Sequence, residues 1–186
     1  GLPNRQRLFE HLGATLQTGT ETAVLVLEID RFKRINDGLG VPIGDAVLRE
    51  LAQRIATTVR SIDLVARRGG DEFVVVMPAP TGAAVDMAQA LLDSVARPMT
   101  IEGHEIHLTC SIGIAVAPDN GNSADTLLRR ANAALHQAKL LGRNDARSQH
   151  YRELFAADLV ARDGKARRGA DIQRSCALAL GRPGLP

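Results

Sequence analysis

Asp71 and Glu72 stand side by side, directly after Gly69-Gly70 and directly before the apolar run Phe73 to Met77. A solvated turn needs no pair of acids followed by such a run. Glu28 is a third acid in a comparable setting, near the end of the apolar run Ala23 to Ile29. An acid there either caps the strand in solvent or holds a metal. Hard oxygen ligands at the ends of two neighbouring strands suit a divalent cation that carries phosphate, since Mg2+ takes one or two carboxylates plus phosphate oxygens and water. Glu28 and Asp71 are the candidate carboxylates, with the backbone carbonyl of Ile29 between them. Asp71, or Glu72 beside it, is also a candidate proton acceptor.

Other residues could serve an anion. Arg31 to Gly38 reads as a short polar turn rich in donors, and free backbone N–H groups in such a turn suit phosphate oxygens. Asp30 is expected on the face opposite to Glu28. Lys139 and Arg143 are four apart at the end of a helical segment, so two cations can meet one anion. Arg60-Ser61-Ile62-Asp63 places an arginine and an acid three apart; its plain reading is an exposed ion pair at a helix end. Cys110 falls in an alternating apolar run and reads as a buried thiol. His104 and His107 lack convincing partners and read as surface histidines.

The elements that position these groups follow from periodicity. Gly69-Gly70 between two strand-like runs predicts a tight hairpin, because glycine tolerates the positive φ that the turn demands. Phe73 to Met77 and Ala23 to Ile29 run apolar without alternation, as strands buried on both faces do. Leu8, Phe9, Leu12 and Leu16 have helical spacing, with Asn4 as N-cap. Gly44-Asp45 is expected to open a helix that ends near Arg60, with Asp45 as N-cap or first-turn acid. Gly82 to Arg97 predicts a further helix, stopped by Pro98. Met99 to Ile106 predicts a small hairpin, and His107 to Val116 a strand. Asn122 to Leu141 predicts the last helix, capped by Ser123 and ended by Gly142. Asn144 to His150 is expected as an edge strand. The order β-α-β-β-α-β, with an extra small hairpin and a flanking helix, predicts an α/β sandwich with a ferredoxin-like core and a central antiparallel sheet.

Composition narrows the classes. The chain has 186 residues, 45% hydrophobic, with a formal net charge of +2, enough for one sizeable domain and an appendage. Aromatic content is 3%, with no Trp, so Val, Leu, Ile and Ala must build the core. A sheet without exposed aromatics offers no platform for stacked bases, which argues against a nucleic-acid binder. No run is long and apolar enough to cross a bilayer, and no secretory segment is visible at the start. Cys110 and Cys176 lie far apart in different settings, as expected in a reducing cytosol. After Tyr151 the chain turns Ala-, Arg- and Gly-rich, which predicts a domain over 1–150 and a helical, basic linker or truncated tail over 151–186.

Gly69-Gly70-Asp71-Glu72-Phe73 resembles the signature of the GGDEF domain, the diguanylate cyclase module. Further matches run in order from Gly1-Leu2-Pro3-Asn4-Arg5 to Gly142-Arg143-Asn144, and the resemblance covers roughly residues 1 to 150. The chain opens inside a family motif, which points to an upstream part. The Glu-Gly-His-Glu-Ile turn and the Leu-x-x-Ala-Asn-x-Ala-Leu helix look most like GGDEF domains that precede an EAL phosphodiesterase domain.

The resemblance implies condensation of two GTP into cyclic di-GMP with release of two pyrophosphates. It implies Mg2+, or Mn2+ in its place, held by Glu28, Asp71 and the Ile29 carbonyl on the GTP triphosphate. Guanine would be selected by Asn36 and Asp45. The terminal phosphates would sit on Phe32, Lys33 and Arg34 and on Lys139 and Arg143. Arg60 and Asp63 would form an inhibitory product site for cyclic di-GMP. Each subunit holds one GTP, so a homodimer is implied, in a bacterial, cytoplasmic signalling protein fused to sensor or EAL domains. Glu28 departs from the family's usual Asp by one methylene, and metal geometry is sensitive to such a displacement. Val41 replaces a usual His, and Asn132 and His136 replace Asp and Tyr. Two readings follow: a diguanylate cyclase, or a degenerate domain that binds GTP or cyclic di-GMP and regulates an attached EAL-type domain.

Overall fold

The computed structural model describes residues 2–142 and 146–148. Helix α1 (Arg5–Gln17) leads into strand β1 (Thr22–Ile29), followed by helices α2 (Lys33–Leu39) and α3 (Val41–Thr58). Strands β2 (Leu64–Gly69) and β3 (Glu72–Pro78) form the glycine hairpin, and helix α4 (Thr81–Ala96) follows. The small hairpin of β4 (Met99–Ile101) and β5 (His104–Ile106) precedes strand β6 (Cys110–Ala117), helix α5 (Ala124–Leu140) and strand β7 (Ala146–Ser148).

The main sheet has the order β2-β3-β1-β6-β7. Its first four strands are antiparallel neighbours with β1 and β3 central, the arrangement expected of a ferredoxin-like core. The last edge strand departs from that pattern, because β7 pairs with β6 in parallel. Alternation along β1 divides the core. Ala23, Leu25, Leu27 and Ile29 pack with Val47, Leu51, Leu91 and Val95 of α3 and α4. Val24 and Val26 pack with Leu8, Leu12, Leu127 and Leu135 of α1 and α5 on the other face. Coverage on both sides explains why β1 and β3 are apolar without alternation. Gly113 lets α5 approach this sheet, since a Cβ there would lie 2.0 Å from the Ala131 carbonyl oxygen.

The caps expected at Asn4 and Ser123 are made. The Asn4 Oδ1 accepts from the Arg7 N–H at 3.1 Å, and the Ser123 Oγ accepts from the Thr126 N–H at 3.3 Å. Cys110 is fully buried, and burial, reinforced by the charge of Asp30, pushes its thiol pKa up, so it is no nucleophile. Three expectations need correction. The polar turn after Asp30 is the helix α2, which fully buries no residue and rests on the core only through the partly buried Ile35 and Leu39, one i,i+4 pair. The next helix begins at Val41, not at Gly44: Gly40 turns the chain at φ 88° and Pro42 fits the first helical turn. His104 and His107 are exposed as expected, but His107 has a partner, its Nε2 lying 2.9 Å from Glu105 Oε1. Arg143, Cys176 and the segment 151–186 lie outside the described residues. Among the described residues no helix is long and apolar enough to cross a membrane.

Candidate active site

The three acids converge where β1 ends and β3 begins. The ladder sets Glu28 directly opposite Glu72, and the Ile29 N–H donates to the Asp71 carbonyl at 3.3 Å. Residues opposite each other in such a pair share a face. Partial burial raises the Asp71 carboxyl above the usual carboxylate range; its own backbone N–H and Lys139 counter this, while Glu28 and Glu72 add to the rise. Each outer acid has a cation. Lys139 of α5 pairs with Glu28, and Arg68 Nη1 lies 2.6 Å from Glu72 Oε1.

Asp30 does not face away from Glu28 as expected. Its carboxylate accepts from the Thr109 hydroxyl at 2.7 Å and the Ser111 hydroxyl at 2.8 Å, and Ser111 pairs with Glu28 in the ladder. Residues two apart on a strand share a face, so Asp30 falls on the side of Glu28.

The hairpin tip is held by its glycines and by arginine. Gly70 has φ 52° and Gly69 φ 149°, both in the region that glycine adopts readily. Arg67 donates from Nε and Nη2 to the Gly70 carbonyl at 2.9 and 2.7 Å. Neither Arg67 nor Arg68 was singled out in the sequence. The available signal was the i,i+4 spacing of Arg68 and Glu72 across a two-glycine turn.

Among the described residues no three His, Cys, Asp or Glu side chains close into a metal cage. The donor set is instead two neighbouring carboxylates, Glu28 and Asp71, the second lacking a side-chain counter-ion of its own among the described hydrogen bonds and ion pairs. Such an open set fits a hard divalent cation that takes its other ligands from water and phosphate. The like charge on Asp71 is what that cation would relieve.

The α2–α3 side supplies polar groups. The Asn36 Oδ1 is buried without a hydrogen-bond partner in the described structure. It rests on Gly44, where a Cβ would come within 1.8 Å of it. Asp45 lies a turn inside α3 rather than at its cap, and it is exposed. Phe32 is buried, whereas Lys33 and Arg34 are exposed. The Arg34 N–H is already spent on the Arg31 carbonyl at 2.8 Å, so the free-donor reading of this turn holds for fewer groups than expected. A cleft of about 600 Å³ opens beside this turn, lined by Asp30, Arg31, Arg34, His107 and Thr109 among others, and it includes neither Glu28 nor Asp71.

Arg60 and Asp63 form a closed pair just past α3. Asp63 Oδ1 accepts from Arg60 Nη2 at 2.7 Å, and its Oδ2 accepts from the Arg60 backbone N–H at 3.0 Å. The Asp63 side chain is 0% exposed and that of Arg60 46%. Arg60 also donates to the Pro78 carbonyl at 3.2 Å, which ties the pair to the end of β3.

Comparison with known proteins matches residues 1–145 to the family described as diguanylate cyclase, GGDEF domain. The chain is 40% identical over 148 residues to the bifunctional diguanylate cyclase/cyclic di-GMP phosphodiesterase MucR of Pseudomonas aeruginosa, covering 77% of this chain and 22% of that protein. It is 38% identical over 167 residues to the cyclic di-GMP phosphodiesterase NbdA of the same organism, covering 87% of this chain and 21% of that one. The crystal structure of the GGDEF domain of YfiN (TpbB) from Pseudomonas aeruginosa superimposes with a TM-score of 0.77 at 37% identity, covering 80% of this chain and 96% of that one. The chain thus spans about a fifth of the length of the two curated relatives.

Proposed function

The chain belongs to the GGDEF family of diguanylate cyclase domains, and from that premise we propose that it condenses two GTP into cyclic di-GMP, releasing two pyrophosphates. The observation that carries this reading is Asp71, a partly buried acid beside Glu28 at the ends of adjacent central strands, with no side-chain counter-ion of its own among the described contacts. Glu28, Asp71 and the Ile29 carbonyl would hold Mg2+, or Mn2+. When bound, the ion lowers the pKa of the ribose 3′-hydroxyl and offsets charge on the α-phosphate.

The chain's own residues bind and orient. Asn36, with its buried unpartnered amide oxygen, and the exposed Asp45 accept from guanine N–H groups. An adenine would leave those acceptors unpaired, which is the physical basis for rejecting it. The start of α2 at Phe32, Lys33 and Arg34, with Lys139 and Arg143, binds the terminal phosphates. Asp71 or Glu72 accepts the hydroxyl proton. Gly69 and Gly70 set the turn that presents both acids. Two such domains, each with one GTP, must face each other, so the active form is a homodimer in the cytoplasm. Residues 1–150 are assigned to the domain and 151–186 to a linker or truncated tail, with fusion to sensor or EAL domains in the full-length chain as part of the same reading. Arg60 and Asp63 form the inhibitory product site.

A second reading is a GTP- or cyclic di-GMP-binding regulator of an attached EAL-type domain. It is favoured by the Lys139–Glu28 pair, which occupies both a phosphate-binding cation and a metal-binding acid. Formation of cyclic di-GMP from GTP and Mg2+, lost in Asp71→Asn, separates the two.

A further inference from the structure

We propose that Asp30 is a positioning residue: its side chain locks the Ile29–Asp30 peptide so that the Ile29 carbonyl is held towards Asp71, ready for a divalent cation. The proposal rests on the reading of Glu28, Asp71 and that carbonyl as the cation site.

The ladder sets the direction of the carbonyl. β1 lies between β3 and β6. The Ile29–Asp30 peptide is trans, so its C=O and N–H point opposite ways. The Asp30 N–H donates to the Thr109 carbonyl at 2.9 Å, on the β6 side. The Ile29 carbonyl, in the same plane, is therefore aimed at the β3 side. The Ile29 N–H points that way too, donating to the Asp71 carbonyl at 3.3 Å. One peptide plane thus decides whether the carbonyl joins the acids or turns from them.

The next residue works against that plane. Arg31 has φ 58°, a left-handed conformation that is uncommon outside glycine. Such strain persists only where the surroundings over-determine it. The Asp30 side chain supplies the hold. It is 6% exposed, and its carboxylate accepts from the Thr109 hydroxyl at 2.7 Å and the Ser111 hydroxyl at 2.8 Å. Asp30 therefore grips Thr109 twice, through backbone and side chain. Ser111 stands opposite Glu28 in the ladder, so the same tether reaches the strand position facing that acid. Groups that orient a metal ligand without touching the metal govern its affinity by about tenfold or more.

The probe is GTP, titrated by calorimetry with Mn2+ and again in EDTA, and the readout is the ratio of the two Kd values. General damage to the fold weakens both titrations, whereas a misplaced carbonyl weakens only the one with metal. Asp30→Ala should cut the ratio about tenfold. Asp30→Asn should stay near the parent, because an amide can accept from one hydroxyl and donate to the other. Thr109→Val removes one of the two hydroxyls and should fall between; it carries the test if Asp30→Ala does not fold. An unchanged ratio in Asp30→Ala, or in Thr109→Val where that variant alone folds, overturns the proposal. A ratio as low in Asp30→Asn as in Asp30→Ala overturns it too, because charge and not the tether would then be at work. If the parent binds GTP no better with Mn2+ than in EDTA, the cation-site reading itself falls and takes the proposal with it. Mn2+-dependent binding in the parent without an effect of the variants removes the proposal alone.

Discussion

Lys139, in the last turn of α5, reaches the carboxylate of Glu28 at the end of β1. A helix residue and a strand residue, 111 positions apart by number (139 − 28), thereby hold each other in the absence of ligand. For the proposed chemistry the contact is a restraint, since Glu28 must turn to a cation and Lys139 to phosphate.

Shortening the acid should loosen that restraint. Glu28→Asp carries the carboxylate one methylene back from Lys139 and restores the family's usual residue. Initial rates of cyclic di-GMP formation should rise several-fold, with the gain greatest at low Mg2+. Equal rates in both proteins would show that the pair restrains nothing.

Asp71 gives a stability test. Its folded pKa is raised, mainly by burial, so at neutral pH the ionised form weighs against the fold, and this penalty fades as pH falls through the raised folded value and is gone below the unfolded one. Asp71→Asn should therefore melt roughly 1–4 °C higher than the parent at pH 7 in EDTA, a gain typical of functional positions. The difference should shrink towards pH 4. A lower melting temperature for Asp71→Asn at pH 7 would contradict the account.

Arg60 and Asp63 are more than a surface pair, because the acid is fully covered. Arg60→Ala strands a buried carboxylate and should cost about 1–3 kcal/mol by urea unfolding. The double variant Arg60→Ala, Asp63→Ala removes both charges and should recover part of that loss. If the pair binds product, the double variant should also lose inhibition by added cyclic di-GMP. Inhibition unchanged from the parent would remove the regulatory assignment while leaving the stability result intact.

Gly44 tests the base pocket. A methyl group there meets the Asn36 amide oxygen at 1.8 Å, so the amide must move. Gly44→Ala should bind GTP about tenfold more weakly while ATP binding changes little, because only guanine uses the displaced group. Parallel weakening of both nucleotides would show general damage to α2 and α3, and Asn36 would lose its role in selection.

Much of this was legible beforehand where burial imposes periodicity. The spacing from Asn122 to Leu141 points Leu127, Leu128, Ala131, Ala134, Leu135 and Ala138 inward, and all six are buried. Strand β1 and the glycine hairpin were equally plain, since both-face burial leaves an unbroken apolar run. Helix α2 is hard to read because seven residues carry only one partly buried apolar pair, Ile35 and Leu39, too short a pattern to set against its polar neighbours. Asp30 lies on the side of Glu28 and not on the opposite one expected, because residues two apart on a strand share a face. The Lys139–Glu28 and Arg68–Glu72 pairs were not foreseen. The first needs α5 laid against β1, and the second depends on a bulge that local composition does not reveal.

The most direct measurement is cyclic di-GMP formed from GTP and Mg2+, quantified at protein concentrations where the dimer is demonstrated by light scattering, with GTP binding measured in parallel. The account predicts product from the parent protein and a loss of at least about a hundredfold in Asp71→Asn with GTP still bound. GTP bound by a dimeric parent protein without product would contradict it and leave the regulatory reading standing.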